Sequence, residues 1–171
     1  LDGSPASSLE PLRNLSNLEF LSARETPISD IGPLEGIASL RQLYLGDSPI
    51  EGFEPLESLD DLEGLGLEGT GFQALDLLAG LSSLRFLFLD RNGISSLEEL
   101  ASLDSLESLG LSSNSITDAG PLSGLESLSN LSLDDNPGLA DIAPLVGNPG
   151  LGFGDFIDLR GTAAGCVDVQ M

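Results

Sequence analysis

The hydrophobic positions of the chain recur at one fixed interval. Leu1, Ala23, Leu45, Leu67, Leu89, Leu111 and Leu133 are spaced 22 residues apart, and the next equivalent, Leu159, follows after 26. The extra residues are local: one follows Asn136 and about three fall within Leu151–Asp155. Columns appear on either side of this register. One is Leu21, Leu43, Leu65, Leu87, Leu109, Leu131 and Ile157; a second is Leu18, Leu40, Leu62, Leu84, Leu106, Leu128 and Leu151; a third is Leu12, Leu34, Leu56, Leu78, Leu100, Leu122 and Leu145. Shorter columns run through Ile28, Ile50, Phe72, Ile94 and Ile116, and through Ile31, Phe53, Leu75, Leu97, Ala119 and Ile142. Each unit reads PLxxLxxLxxLxLxx(N/S/T)xIxxI, and self-similarity at such a period is the mark of a repeat architecture.

Within each unit the LxL pair has period 2, as a short strand requires, whereas the PLxxLxxL stretch has period near 3, which suits a 3₁₀ or short helical turn. Identical inward side chains once per coil predict that successive units stack, strand beside strand, at about 4.8 Å per turn in a parallel sheet. Eight strands are expected, giving a concave sheet roughly 35 Å long on that spacing. Pro11, Pro33, Pro55, Pro121 and Pro144 fall where the first position of a helical turn tolerates a missing N–H.

Three residues after the register leucine comes a polar column: Ser4, Thr26, Ser48, Thr70, Asn92, Asn114, Asn136 and Thr162. Together with the leucine columns, this resembles the leucine-rich-repeat family, and most closely its 22-residue, bacterial, internalin-like subclass, over essentially the whole chain. The resemblance implies an α/β solenoid: a right-handed superhelix with a concave parallel sheet and a convex side of 3₁₀ or short helical turns. It also implies that the polar column is an asparagine ladder bonding the backbone at each bend. Five of the eight members here are Ser or Thr, whose hydroxyls bond locally but more weakly. The array is assigned to residues 1–162. Residues 163–171, AAGCVDVQM, resemble the start of a C-terminal cap.

On a strand, alternate residues face opposite ways. With the leucines inward, the concave columns are Phe20, Gln42, Gly64, Phe86, Ser108, Asn130 and Phe156, and Ser22, Tyr44, Gly66, Phe88, Gly110, Ser132 and Asp158. Most aromatics outside the core therefore share one face. Phe86 and Phe88 lie side by side between units rich in Gly and Ser, with Arg91 close by and Tyr44 two turns away. Aromatics with an arginine are what protein interfaces use as anchors. The competing reading is that each ring covers a neighbouring glycine strand and restores burial that glycine lacks. Phe20, Tyr44, Phe86, Phe88 and Arg91 are the candidate partner-binding residues; Phe156, in the irregular last unit, is equally compatible with a place in the core.

Charge narrows the functional classes. The 171 residues include 28 acids, 6 arginines, no lysine and no histidine, for a net charge of −22. Nucleic acid would repel such a chain, and so would an anionic membrane surface. The sequence holds no run of the 18 or more apolar residues that a membrane-spanning helix needs. Without histidine there is no Ser–His or Cys–His pair and no ordinary zinc site; carboxylates on a solenoid surface lack the burial that separates the pKa values of an acid–base pair. The loop Asp134–Gly138 offers oxygens but no EF-hand spacing, and Asp60, Asp61, Asp134 and Asp135 read as solvated. No cofactor, metal or catalytic residue is expected.

The arginines mostly have acids in register. Glu19, Arg41, Glu63, Arg85 and Glu107 alternate in sign along one column; Arg13 has Glu35 one turn on, Arg24 has Asp2 one turn back, and Arg160 has Asp134 one turn back with Asp158 nearby. Arg91 differs, because its column neighbours are Gly69 and Ser113, and it is expected to be the least neutralised cation.

The family resemblance implies a non-catalytic recognition or adhesion module binding another protein, with a cell-surface glycoprotein or polysaccharide-bearing surface among the candidates. An alternative is a structural subunit that polymerises through open solenoid ends, which invite stacking; a third is a passive spacer. Composition and resemblance together point to an extracellular or cell-surface location. Cys166 reads as a free thiol, an interchain link or half of a pair, and the resemblance favours the pair.

Overall fold

The structure, a computed structural model, describes residues 1–164. Seven three-residue strands form one sheet: β1 Phe20–Ser22, β2 Gln42–Tyr44, β3 Gly64–Gly66, β4 Phe86–Phe88, β5 Ser108–Gly110, β6 Asn130–Ser132 and β7 Phe156–Asp158. They lie in chain order and every pairing is parallel. The register follows the repeat, with Leu21 beside Leu43, Leu43 beside Leu65, and so on to Leu131 beside Ile157. Among the described residues seven strands form where eight were expected. At the first register position Leu1 reaches Ser22 O through its terminal ammonium, at 2.7 Å, and the chain there turns without forming a strand.

The leucine columns build a single core. Leu43, Leu65, Leu87, Leu40, Leu62, Leu84, Leu34, Leu56 and Leu78 are all fully buried, and each such side chain contributes about 2 kcal/mol through burial. The convex side carries 3₁₀ turns at Glu10–Leu12, Gly32–Leu34, Glu54–Ser58, Leu75–Leu78, Glu98–Ser102 and Gly120–Gly124, followed by the four-residue helix α1, Ala143–Val146. The five prolines occupy the first or second positions of their turns. Ser8, Asp30, Ser96, Asp118 and Asp141 each accept the N–H two residues on, at 2.7–3.4 Å, fixing the entry to the turn.

Each strand ends in a bend of left-handed backbone. Glu25, Asp47, Arg91, Ser113 and Asp135 have φ between 53° and 60°, and Gly3, Gly69 and Gly161 occupy the same place in their units. The bend keeps the ladder going past the strand: Glu25 N–H donates to Gly46 O at 2.9 Å and Asp47 N–H to Glu68 O at 2.7 Å.

The polar column sits just behind the bend and works as the ladder expected from the resemblance. Asn114 Nδ2 donates to Leu89 O and Leu111 O, and its Oδ1 accepts from Asn92 N–H and Ile94 N–H. Where the column holds a hydroxyl, fewer bonds form: Thr70 Oγ1 donates only to Leu67 O, at 2.8 Å. Asn148 closes another column, that of Ile37, Leu59, Leu81, Leu103 and Leu125. It is buried in a leucine position and its Nδ2 donates to Leu122 O and Leu125 O. The array assigned to residues 1–162 lies within the described residues; of the expected cap, residues 165–171, including Cys166, lie outside them.

Candidate functional site

Each strand contributes its first and third side chains to the concave face, and the bend just beyond adds another. Phe20 is 55% exposed, Tyr44, Phe86 and Phe88 are half-buried, and Gly64, Gly66 and Gly110 form buried floor between them. Phe20 and Tyr44 pack with ring centroids 6.0 Å apart and planes tilted by 52°. The Tyr44 ring leans across β3: a Cβ added at Gly66 would lie 2.7 Å from Tyr44 Cδ1, and one at Gly64 would lie 2.9 Å from Tyr44 Oη. Phe88 leans on β5 in the same way, 3.1 Å from where a Cβ of Gly110 would sit. The aromatics thus cover glycine floor, as the competing sequence reading expected, and still show a half-exposed surface. Phe156 is 55% exposed and joins this face through β7; it does not enter the core.

Ion pairing differs from the expectation at three of the six arginines. The alternating column forms two pairs, Arg41 with Glu63 and Arg85 with Glu107, each at 2.8 Å. Arg85 also lies over the Phe86 ring, 5.2 Å from its centroid. Arg13 pairs with Glu10 within its own 3₁₀ turn rather than with Glu35. Arg160 pairs with Asp158, one of the two acids expected beside it, and the guanidinium holds the Asp158 carboxyl below the usual carboxylate range.

The other two corrections share one device. Arg24 reaches past Gly46 to Glu68, at 3.4 Å, with its guanidinium 4.8 Å from the Tyr44 ring centroid. Asp2 instead accepts the Arg24 backbone N–H and the Ser22 hydroxyl, whose hydrogen bond is the main cause lowering its pKa. Arg91 is not the least neutralised cation. Its Nη2 spans Gly69 and bonds both carboxylate oxygens of Asp47 at 2.8 Å, which raises the Arg91 pKa. A glycine in the intervening turn clears the path in both cases. Beneath Tyr44, Arg24 Nε and Glu68 Oε2 are buried without a partner among the described residues.

A family model for leucine-rich repeats, in two copies, matches residues 104–147. No curated protein matches the chain. Among solved structures, an internalin of Listeria monocytogenes, InlF, superposes with a TM-score of 0.86 at 28% identity, covering 95% of this chain and 47% of that one. Internalin C2 of the same species gives 0.87 at 27% identity, covering 97% of this chain and 72% of that one. The chain has the leucine-rich-repeat fold of these internalins and resembles them along nearly its whole length. A leucine-rich-repeat protein of Leptospira interrogans shares the fold, with a TM-score of 0.79 at 22% identity over 94% of this chain and 41% of that one. The chain thus spans about half the length of the first of these structures.

Leucine-rich repeats are in general protein-interaction modules, and the internalin-like fold is typically a non-enzymatic binding scaffold. No helix among the described residues is long and apolar enough to cross a membrane. Sequence reasoning missed two surface features. The first is a further concave column, Arg24, Gly46, Glu68, Asp90, Ser112 and Asp134, which extending the period-2 alternation past each strand would have found. The second is Phe153, wholly exposed on the turn inserted before β7. That turn is closed by Gly152 N–H donating to Asp155 Oδ2 and Asp155 N–H donating to Gly152 O, with Gly154 at φ 103°. Its three extra residues were visible as an insertion, but their exposure was not.

Proposed function

We propose that the chain recognises another protein through its concave sheet, with Phe20, Tyr44, Phe86, Phe88 and Arg91 on the contact surface, and that it does so outside the cell or at the cell surface. The observation that carries this reading is the aromatic row: rings distributed along one rigid sheet, seated on glycine floor and partly open to solvent. Such rings offer apolar area with few rotatable bonds, and little ordering remains to be done on association. Arg91 uses Nη2 to hold Asp47, which fixes its side chain and leaves Nε and Nη1 as donors without a partner among the described residues. The resemblance to internalins supports the location and the recognition role. An adhesion function, with a cell-surface glycoprotein or polysaccharide-bearing surface as partner, belongs to the same reading.

The test uses photo-cross-linking from two positions. A benzoylphenylalanine at Gln42, on β2, should give a saturable cross-link to one surface protein of the target cell; the same probe at Glu57, on the convex side, should not. The double substitution Phe86→Ala/Phe88→Ala should then weaken that interaction at least about thirtyfold, as loss of an interface anchor does. Saturable cross-linking from Glu57 alone would remove the concave face from consideration.

A further inference from the structure

The C-terminal half of the concave face contains an open cleft of about 390 Å³ lined by Phe88, Asp90, Ser108, Gly110, Asn130 and Ser132. Its floor is β5, where Ser108 and Gly110 project little or nothing. Phe88 from β4 forms an apolar wall, and Asn130 and Ser132 from β6 form the opposite one. Asp90 stands at the end of the Phe88 wall. Its Oδ1 accepts the Ser112 N–H at 2.7 Å, which fixes the carboxylate, and its Oδ2 lies 2.8 Å from where a Gly110 Cβ would be. Asn130 Nδ2 donates to Ser129 Oγ, leaving Oδ1 as an acceptor with no donor among the described residues.

What the cleft lacks is a cation. All six arginines are engaged in ion pairs, with Glu10, Glu68, Glu63, Glu107, Asp47 and Asp158. Arg91, next to Asp90 in sequence, turns back toward Asp47. Asp90 forms no ion pair among the described residues. Ser112, which lies between Asp90 and Asp134 in the column, donates its N–H to Asp90 and its hydroxyl to Asp134.

We propose that this cleft is the subsite that takes a basic side chain, arginine or lysine, from the protein partner. This deepens the reading of the concave face given above and depends on it. The chemistry fits at both ends of such a side chain. The methylene stem lies against the Phe88 wall and the glycine floor, and the charged head meets the Asp90 carboxylate, while Asn130, Ser108 and Ser132 line the rest of the cleft with polar groups. A cation beside an aromatic ring gains from the ring as well. The occupant is a basic side chain rather than an apolar or acidic one because the cleft offers a fixed anion and acceptors. The chain's net charge of −22 draws cationic partners from a distance.

The probe is the peptide acetyl-Gly-Arg-Gly-amide, titrated at low salt into the whole ¹⁵N-labelled chain, with the citrulline peptide as the uncharged isostere. Saturable shifts should centre on the amides of Ser108, Gly110 and Ser132. They should disappear with citrulline, and the affinity should fall about fivefold in Asp90→Asn, on the scale of an exposed ion pair. Asp90→Asn keeps the acceptor for Ser112 N–H, so its own spectrum reports whether the fold is retained. Asp76→Asn, in a convex 3₁₀ turn, should change nothing. Shifts spread evenly over the acidic surface, or an unchanged affinity in Asp90→Asn, would overturn the proposal. The two readings fail separately: cross-linking from Gln42 with no effect of Asp90→Asn removes the subsite alone, whereas cross-linking from Glu57 alone removes the face.

Discussion

At the bend behind each strand one side chain settles where several buried backbone groups find partners. Asparagine carries both donor and acceptor, so Asn114 satisfies two carbonyls and two N–H groups across adjacent turns. Threonine carries one short hydroxyl, and Thr70 reaches a single carbonyl. A buried polar group left unpaired costs about 1–3 kcal/mol, far more than the net worth of an exposed bond. Asn114→Ala should therefore destabilise the chain by about 3 kcal/mol and Thr70→Ala by about 1 kcal/mol, as read from urea unfolding monitored by circular dichroism. Equal effects at the two positions would mean that water takes over the bonds Asn114 makes. The polar column was legible in the sequence, and the resemblance supplied its role. Asn148 was not legible, because it occupies a leucine column where only the packed turn shows which carbonyls it can reach.

The strand and its bend form the repeating element, and their requirements conflict. Continuing the ladder past the strand requires left-handed backbone at the third residue beyond it, and in five units a non-glycine residue adopts it. That conformation costs an L-residue about 1–2 kcal/mol, offset in part by the smaller entropy it loses on folding relative to glycine, about 0.5–1 kcal/mol. Ser113 makes no side-chain hydrogen bond among the described residues, so Ser113→Gly should stabilise the array by about 0.5–1 kcal/mol, measured as a higher thermal midpoint. A lower midpoint would show that the bend is not strained at that residue. Gly3, Gly69 and Gly161 share this position, and their 22-residue kinship was present in the sequence; without the backbone it carried no distinct signal, since the other five units hold Glu, Asp, Arg and Ser there.

The whole molecule is a stack of turns that each contact mainly their neighbours, wrapped in negative charge. Every arginine is paired, yet each pair is at least partly exposed and contributes little, typically 0–1 kcal/mol. The remaining carboxylates repel one another, and salt screens that repulsion. Raising sodium chloride from about 10 mM to about 150 mM, which shortens the screening length from roughly 30 Å to roughly 8 Å, should therefore raise the thermal midpoint. A midpoint that falls with salt would show that the ion pairs outweigh the repulsion. The same screening should weaken capture of a basic side chain in the cleft beside Asp90.

The sequence by itself determined the coil: the interval of 22, the inward leucines, the short parallel strands and the aromatic row on the concave side all follow from local periodicity. Steric alternation along a strand needs no knowledge of distant residues. The tertiary structure decided who meets whom across turns. Arg91 finds Asp47 and Arg24 finds Glu68 because a glycine lies between the partners, and Tyr44 and Phe88 tilt onto glycine floor for the same reason. Those choices depend on the space left by side chains one turn away. Column neighbours in the sequence give the separation between turns but not the direction in which a long side chain finds room.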